Sequence, residues 1–128
     1  MSPVRSSLVY ILPSADVTAP GTVSDLALLG AGLDDVTFTA TLPGDNGTSG
    51  GRPHTYEFRS AASAIVTEGD WTAAAATSWV DEASGTVGYS VEMYLTAQPS
   101  GTRYYHVRFT DYAGNRGGIS NGVQVAFA

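Results

Sequence analysis

Val36-Thr37-Phe38-Thr39-Ala40-Thr41-Leu42 alternates apolar and polar side chains without a break. Successive strand residues point to opposite faces of a sheet, so this pattern predicts a strand with one face in a core and one in water. The same period runs through four more segments. Tyr56 and Phe58 share one phase, and Tyr89, Val91, Met93 and Leu95 another. Tyr105, Val107 and Phe109 follow, then Val123, Val125 and Phe127.

The intervening segments carry turn chemistry. Residues 43–51 read Pro-Gly-Asp-Asn-Gly-Thr-Ser-Gly-Gly, rich in residues that accept positive φ. Gly85, Gly88, Pro99, Gly101, Gly114, Gly117 and Gly118 mark further turns. Ala-rich stretches at 61–64 and 73–76 allow a short helical turn, but no amphipathic repeat supports a long helix. Strands spaced by such turns predict an all-β sandwich.

Composition narrows the function. The chain has 128 residues, 43% hydrophobic and 14% charged, which suits one folded domain and excludes full disorder. There is no cysteine, which excludes disulfides, thiol catalysis and thiolate metal sites. Every basic residue is arginine, so lysine Schiff-base chemistry is excluded too. A net charge of -6 repels phosphate backbones and argues against a nucleic-acid partner. The longest apolar run, Leu8-Val9-Tyr10-Ile11-Leu12, is too short for a spanning helix, and no membrane partner is expected. It is also too short, behind a single arginine, for a secretory signal.

Several pieces, taken in order, resemble a fibronectin type III domain of the bacterial and phage kind. Ala19-Pro20-Gly21-Thr22-Val23-Ser24-Asp25-Leu26 is similar to that family's first strand with its leading proline. Residues 36–47 resemble its second strand and loop, and residues 56–60 its third strand, with Trp71 beyond. Residues 100–105 resemble the turn into the tyrosine-bearing strand. Asp111-Tyr112-Ala113-Gly114-Asn115, with Ser120-Asn121, resembles the final hairpin. Ala40 stands where the family usually has a core tryptophan; Trp71, Trp79 or Tyr89 is expected to fill that space. Either Tyr104 or Tyr105 is expected to bond backbone at the sheet corner. The resemblance implies an immunoglobulin-like sandwich at residues 19–128, a leading arm at residues 1–18, and a binding or spacer role without catalysis.

Candidate chemistry is sparse. His54 and His106 are the only histidines, no Gly-x-Ser-x-Gly elbow is present, and both are expected at the surface or rim. Asp34, Asp35 and Asp45, with Asn46, could surround calcium only if their loops met; turn duty is the favoured reading. Asn46-Gly47-Thr48 matches a glycosylation sequon but reads better as a tight turn. No catalytic residue, cofactor or metal is expected. Trp71 and Trp79 are expected in the core or at a subunit interface, and Tyr112 as an exposed contact.

Residues 8–12 stand out. They fit an arm that adds as a strand to a neighbouring sheet edge, and equally an extra strand on their own domain. Leu8, Val9, Tyr10, Ile11, Leu12 and Tyr112 are therefore the candidate partner-binding residues. The expected function is a non-enzymatic virion accessory protein, either capsid decoration or a small tail protein. It would bind the major capsid or tail protein and copies of itself, on a particle assembled in the host cytoplasm. The alternative is an extracellular carbohydrate- or surface-binding module of a larger enzyme or adhesin.

Overall fold

The computed structural model describes residues 18–47 and 49–127. Two antiparallel sheets form an all-β sandwich. One holds β1 (Ala27–Ala31), β2 (Val36–Thr41) and β5 (Ser90–Leu95) in the order β1-β2-β5. The other holds β3 (Thr55–Ala61), β4 (Trp79–Glu82), β6 (Gly101–Thr110) and β7 (Val123–Phe127) in the order β4-β3-β6-β7.

Each sheet turns its alternate apolar residues inward. Val36, Phe38 and Ala40 of β2 are buried, as are Tyr56 and Phe58 of β3 and Met93 and Leu95 of β5. Aromatic rings join the two sheets. Phe38 stacks on Phe58 with centroids 4.9 Å apart and lies 5.4 Å from Tyr105. Tyr105 in turn meets Phe127 edge-on at 6.2 Å. Such pairs add about 0.5–1.5 kcal/mol each beyond area burial. Burial pushes the Tyr56 hydroxyl up to about 12, with Asp81 adding to the effect.

Three details differ from the sequence reading. The stretch 19–26 is not the first strand. Val23 and Leu26 are buried there, but the strand starts at Ala27, and the Asn121 side chain bonds both the N–H and the C=O of Leu26, each at 2.9 Å. Those backbone groups are satisfied by a side chain, so they need no sheet partner. Tyr89 lies outside β5 and is 69% exposed, because its N–H and C=O serve the turn to Thr86 and Leu42. It does not join the core, where Trp79 is the tryptophan packed against the main cluster and Trp71 lies in the second one. Finally, the Tyr105 hydroxyl bonds the Gln98 side chain at 3.0 Å rather than backbone. Gln98 passes the contact on to the Thr96 carbonyl at 3.0 Å.

The connection from β3 to β4 crosses the outer face of the four-stranded sheet. It contains α1 (Glu68–Ala73) and a 3-10 turn at Ala75–Thr77. Thr67 caps α1: its hydroxyl accepts the Asp70 N–H at 3.1 Å, and the Asp70 carboxylate accepts the Thr67 N–H at 3.1 Å. A helix this short does not hold by itself. Trp71, 1% exposed, anchors it in a second cluster with Ile65 and Ala74, packed by Ala61 and Ile119. Consequently β6 is buried on both faces, from Tyr105 through Phe109.

Candidate functional site

The outer face of β3 and β6 carries Glu57, Arg59, His106 and Arg108, beneath the α1 layer. A sheet face that meets water could carry these residues freely. Here they are enclosed, so every charge and donor needs a partner.

His106 is 3% exposed, which corrects the expectation of a rim position. Its Nε2 accepts the Ile65 N–H at 3.0 Å, and its Nδ1 lies 2.9 Å from the Ser120 carbonyl. A carbonyl can only accept, so the ring is assigned the tautomer with its proton on Nδ1. Gly122 makes room for it: a Cβ there would stand 2.7 Å from the ring. Both nitrogens are therefore engaged by backbone, and neither faces a nucleophile.

Arg108, 4% exposed, donates from Nε to the Gly117 carbonyl at 2.9 Å. Its two terminal nitrogens clasp the Glu68 carboxylate at 2.8 and 2.9 Å. Arg59 donates to Glu57 at 2.7 Å and to the Trp71 carbonyl at 2.8 Å. Both guanidiniums lie against the Trp71 ring, 4.8 Å (Arg59) and 5.1 Å (Arg108) from its centroid. This is cation–π contact within a partly desolvated layer. The layer holds the α1 segment to the sheet.

The carboxylates at its rim respond to these donors. Arg108 holds Glu68 below its ordinary value of 4.5. The Val66 and Thr67 N–H groups hold Asp70 below 3.8, and the Thr41 hydroxyl does the same for Asp25. A carboxylate lowered in the folded state stabilises it above the ordinary value and loses that contribution as pH falls through the folded value. Stability is thus expected to stay level from pH 7 to about 5 as far as these groups are concerned, and to fall below about pH 4.5. Urea midpoints read across that range test this, with Glu68→Gln expected to give a shallower acid slope than the parent. Equal slopes would show that the exposed Glu68 contributes nothing through its charge.

The other candidates separate. Asp34 lies before β2, where its carbonyl accepts the Gln98 N–H, and Asp45 lies beyond the far end of that strand. Among the described residues, no three His, Asp or Glu side chains gather to hold a metal ion. Asn46 and Ser49 pair across a tight turn with Gly47 at φ 72°, where a residue without Cβ is favoured. His54 is exposed and stacks on Tyr112 at 4.2 Å. Tyr112 itself is 75% exposed at the tip of the β6–β7 turn. Leu8, Val9, Tyr10, Ile11 and Leu12 lie outside the described residues.

One side of the sandwich was not anticipated. All of β1 is exposed, including Leu28 and Leu29, and the following turn shows Leu33 at 83% exposure. Tyr94 is exposed on β5, its hydroxyl donating to Asp35 at 2.7 Å. The Leu28-Leu29 pair was the available signal, because it breaks the alternation that marks the other strands.

No family model matches the chain, and no curated protein matches it. Among solved structures, a crystal structure of domains from titin is similar over 95% of this chain and 34% of that one. The identity is 12% and the TM-score 0.44. The chain spans about a third of that structure's length.

Proposed function

We propose that the chain is a structural binding protein, a virion accessory protein of the capsid-decoration or small-tail kind. It seats on the major capsid or tail protein and on copies of itself. The observation that carries this reading is the exposure of Leu28, Leu29, Leu33 and Tyr94, with β1 at a sheet edge that has no strand paired to it among the described residues. Exposed leucines beside an unpaired sheet edge offer a partner an apolar contact and main-chain hydrogen bonds together. The buried His and Arg side chains support the same reading, since structural partners account for their ring and guanidinium contacts. Many identical weak contacts across a lattice add through multivalency, so a shallow apolar surface suffices. The net charge of -6 suits the outer side of a shell, away from packaged nucleic acid.

The test is co-expression with the coat and tail genes of the same genome, followed by sedimentation of the particles. Co-sedimentation in a fixed ratio is expected, with Leu33→Asp lowering occupancy about tenfold, as loss of an apolar contact worth about 1.4 kcal/mol would do. Retention on polysaccharide resin, with none on particles, would overturn it in favour of the extracellular module.

A further inference from the structure

The Asn121 side chain stands in for a strand partner. Among the described residues no strand of one sheet pairs with a strand of the other, although β1 lies near β7 on one side of the sandwich. The Asn121 amide bridges that side. Its Oδ1 accepts the Leu26 N–H and its Nδ2 donates to the Leu26 carbonyl, each at 2.9 Å. Leu26 is buried just ahead of β1, and serving both of its backbone groups takes a side-chain amide, which carries a donor and an acceptor together.

The residues on either side are fixed as well. A Cβ on Gly122 would stand 2.7 Å from the buried His106 ring, so the packing demands glycine there. Ser120 is held to β6: its N–H donates to the Val107 carbonyl at 3.0 Å, and its hydroxyl accepts the Val107 N–H at 2.9 Å. The fold thus places asparagine directly before glycine for two separate reasons. Asparagine is thermolabile, and most so before glycine, which has no side chain to keep its nitrogen away from the carboxamide.

We propose that Asn121-Gly122 is a self-modification site, which the Leu26 clasp guards and whose reaction makes opening of the clasp permanent. While both bonds stand, the carboxamide is held on Leu26. Local opening breaks them from time to time, and Cγ then swings onto the Gly122 nitrogen. That nitrogen gives its proton to solvent base and forms the new N–Cγ bond. The Cγ–Nδ2 bond breaks, and the nitrogen leaves as ammonia with a proton from water. A water molecule then adds to either carbonyl of the cyclic imide and breaks the C–N bond on that side. The product is an aspartate, or an isoaspartate whose main chain runs through Cγ. A carboxylate there still accepts the Leu26 N–H but has no hydrogen for the Leu26 carbonyl. The clasp does not re-form, and the segment leading into β1 loses this tie to the β6–β7 connection.

The test uses the full chain, aged at mildly alkaline pH once folded and once in urea, with conversion at residue 121 read by peptide mass spectrometry. Two ordinary hydrogen bonds guard the folded site, so conversion should run about tenfold faster in urea. Asn46-Gly47, in the same digest, supplies the rate of an unclasped pair once the chain is unfolded, and residue 121 should match it there. Asn121→Asp copies one product without ageing. Hydrogen exchange over residues 19–31 should quicken in this variant and in the aged chain, while exchange in β6 stays parental. If Asn121→Asp does not fold by circular dichroism, Asn121→Ser, neutral and too short to serve both Leu26 groups, takes its place. Equal conversion at 121 in the folded and unfolded chain, no conversion in either, or parental exchange over residues 19–31 after modification would each overturn the proposal.

Discussion

Trp71→Ala is expected to destabilise the fold by about 3–5 kcal/mol, the usual cost of deleting a buried tryptophan. The ring is 1% exposed and is the largest member of the cluster that fixes α1 to the sheet. Its loss also strips the aromatic face from Arg59 and Arg108, each contact worth about 0.5–2 kcal/mol. At about 4–8 °C per kcal/mol for domains near this size, the midpoint should drop by more than about 12 °C. Far-ultraviolet circular dichroism is the right monitor, because the mutation removes a fluorophore. Trp71→Phe keeps most of the apolar area and should cost about half as much. A drop below about 1 kcal/mol for the alanine variant would mean that the α1 segment is not a packed layer.

His106→Phe is expected to cost about 2–4 kcal/mol although the ring volume is nearly kept. The loss comes from two backbone groups, the Ile65 N–H and the Ser120 carbonyl, which the imidazole serves at 3.0 and 2.9 Å. Each buried group left without a partner costs about 1–3 kcal/mol. Denaturant titration should show a lower midpoint at an unchanged slope. A variant that keeps parental stability but loses a biological activity would show instead that this histidine does chemistry.

Strand period two placed β2, β3, β6 and β7 from the residues alone, because each has one face in the main core. The first strand was misplaced for a physical reason. Val23 and Leu26 are buried like strand residues, yet hydrogen bonds from Asn121 hold Leu26 outside the sheet. β4 escaped notice because Trp79-Val80-Asp81-Glu82 is short and mostly exposed. The helix start could have been seen in Thr67-Glu68-Gly69-Asp70, a threonine followed three residues later by a carboxylate that returns to it. The burial of His106 and Arg108 could not. Along the strand they fall on the polar phase, and only the path of residues 61–78 across the sheet encloses them. The same limit applies to the candidate surface: Tyr112 was legible as a turn tip, whereas the exposed side at β1 depends on where the sheet stops.

The enclosure of β6 also bears on how this sequence can change over time. In a plain sandwich, every second strand position faces water and drifts freely. From Tyr105 through Phe109 no position has that freedom, since alternate side chains answer to two different interiors. A substitution there must satisfy the aromatic core or the arginine–tryptophan layer, while β1 faces solvent along its whole length. Divergent copies of this chain should therefore remain recognisable through β6.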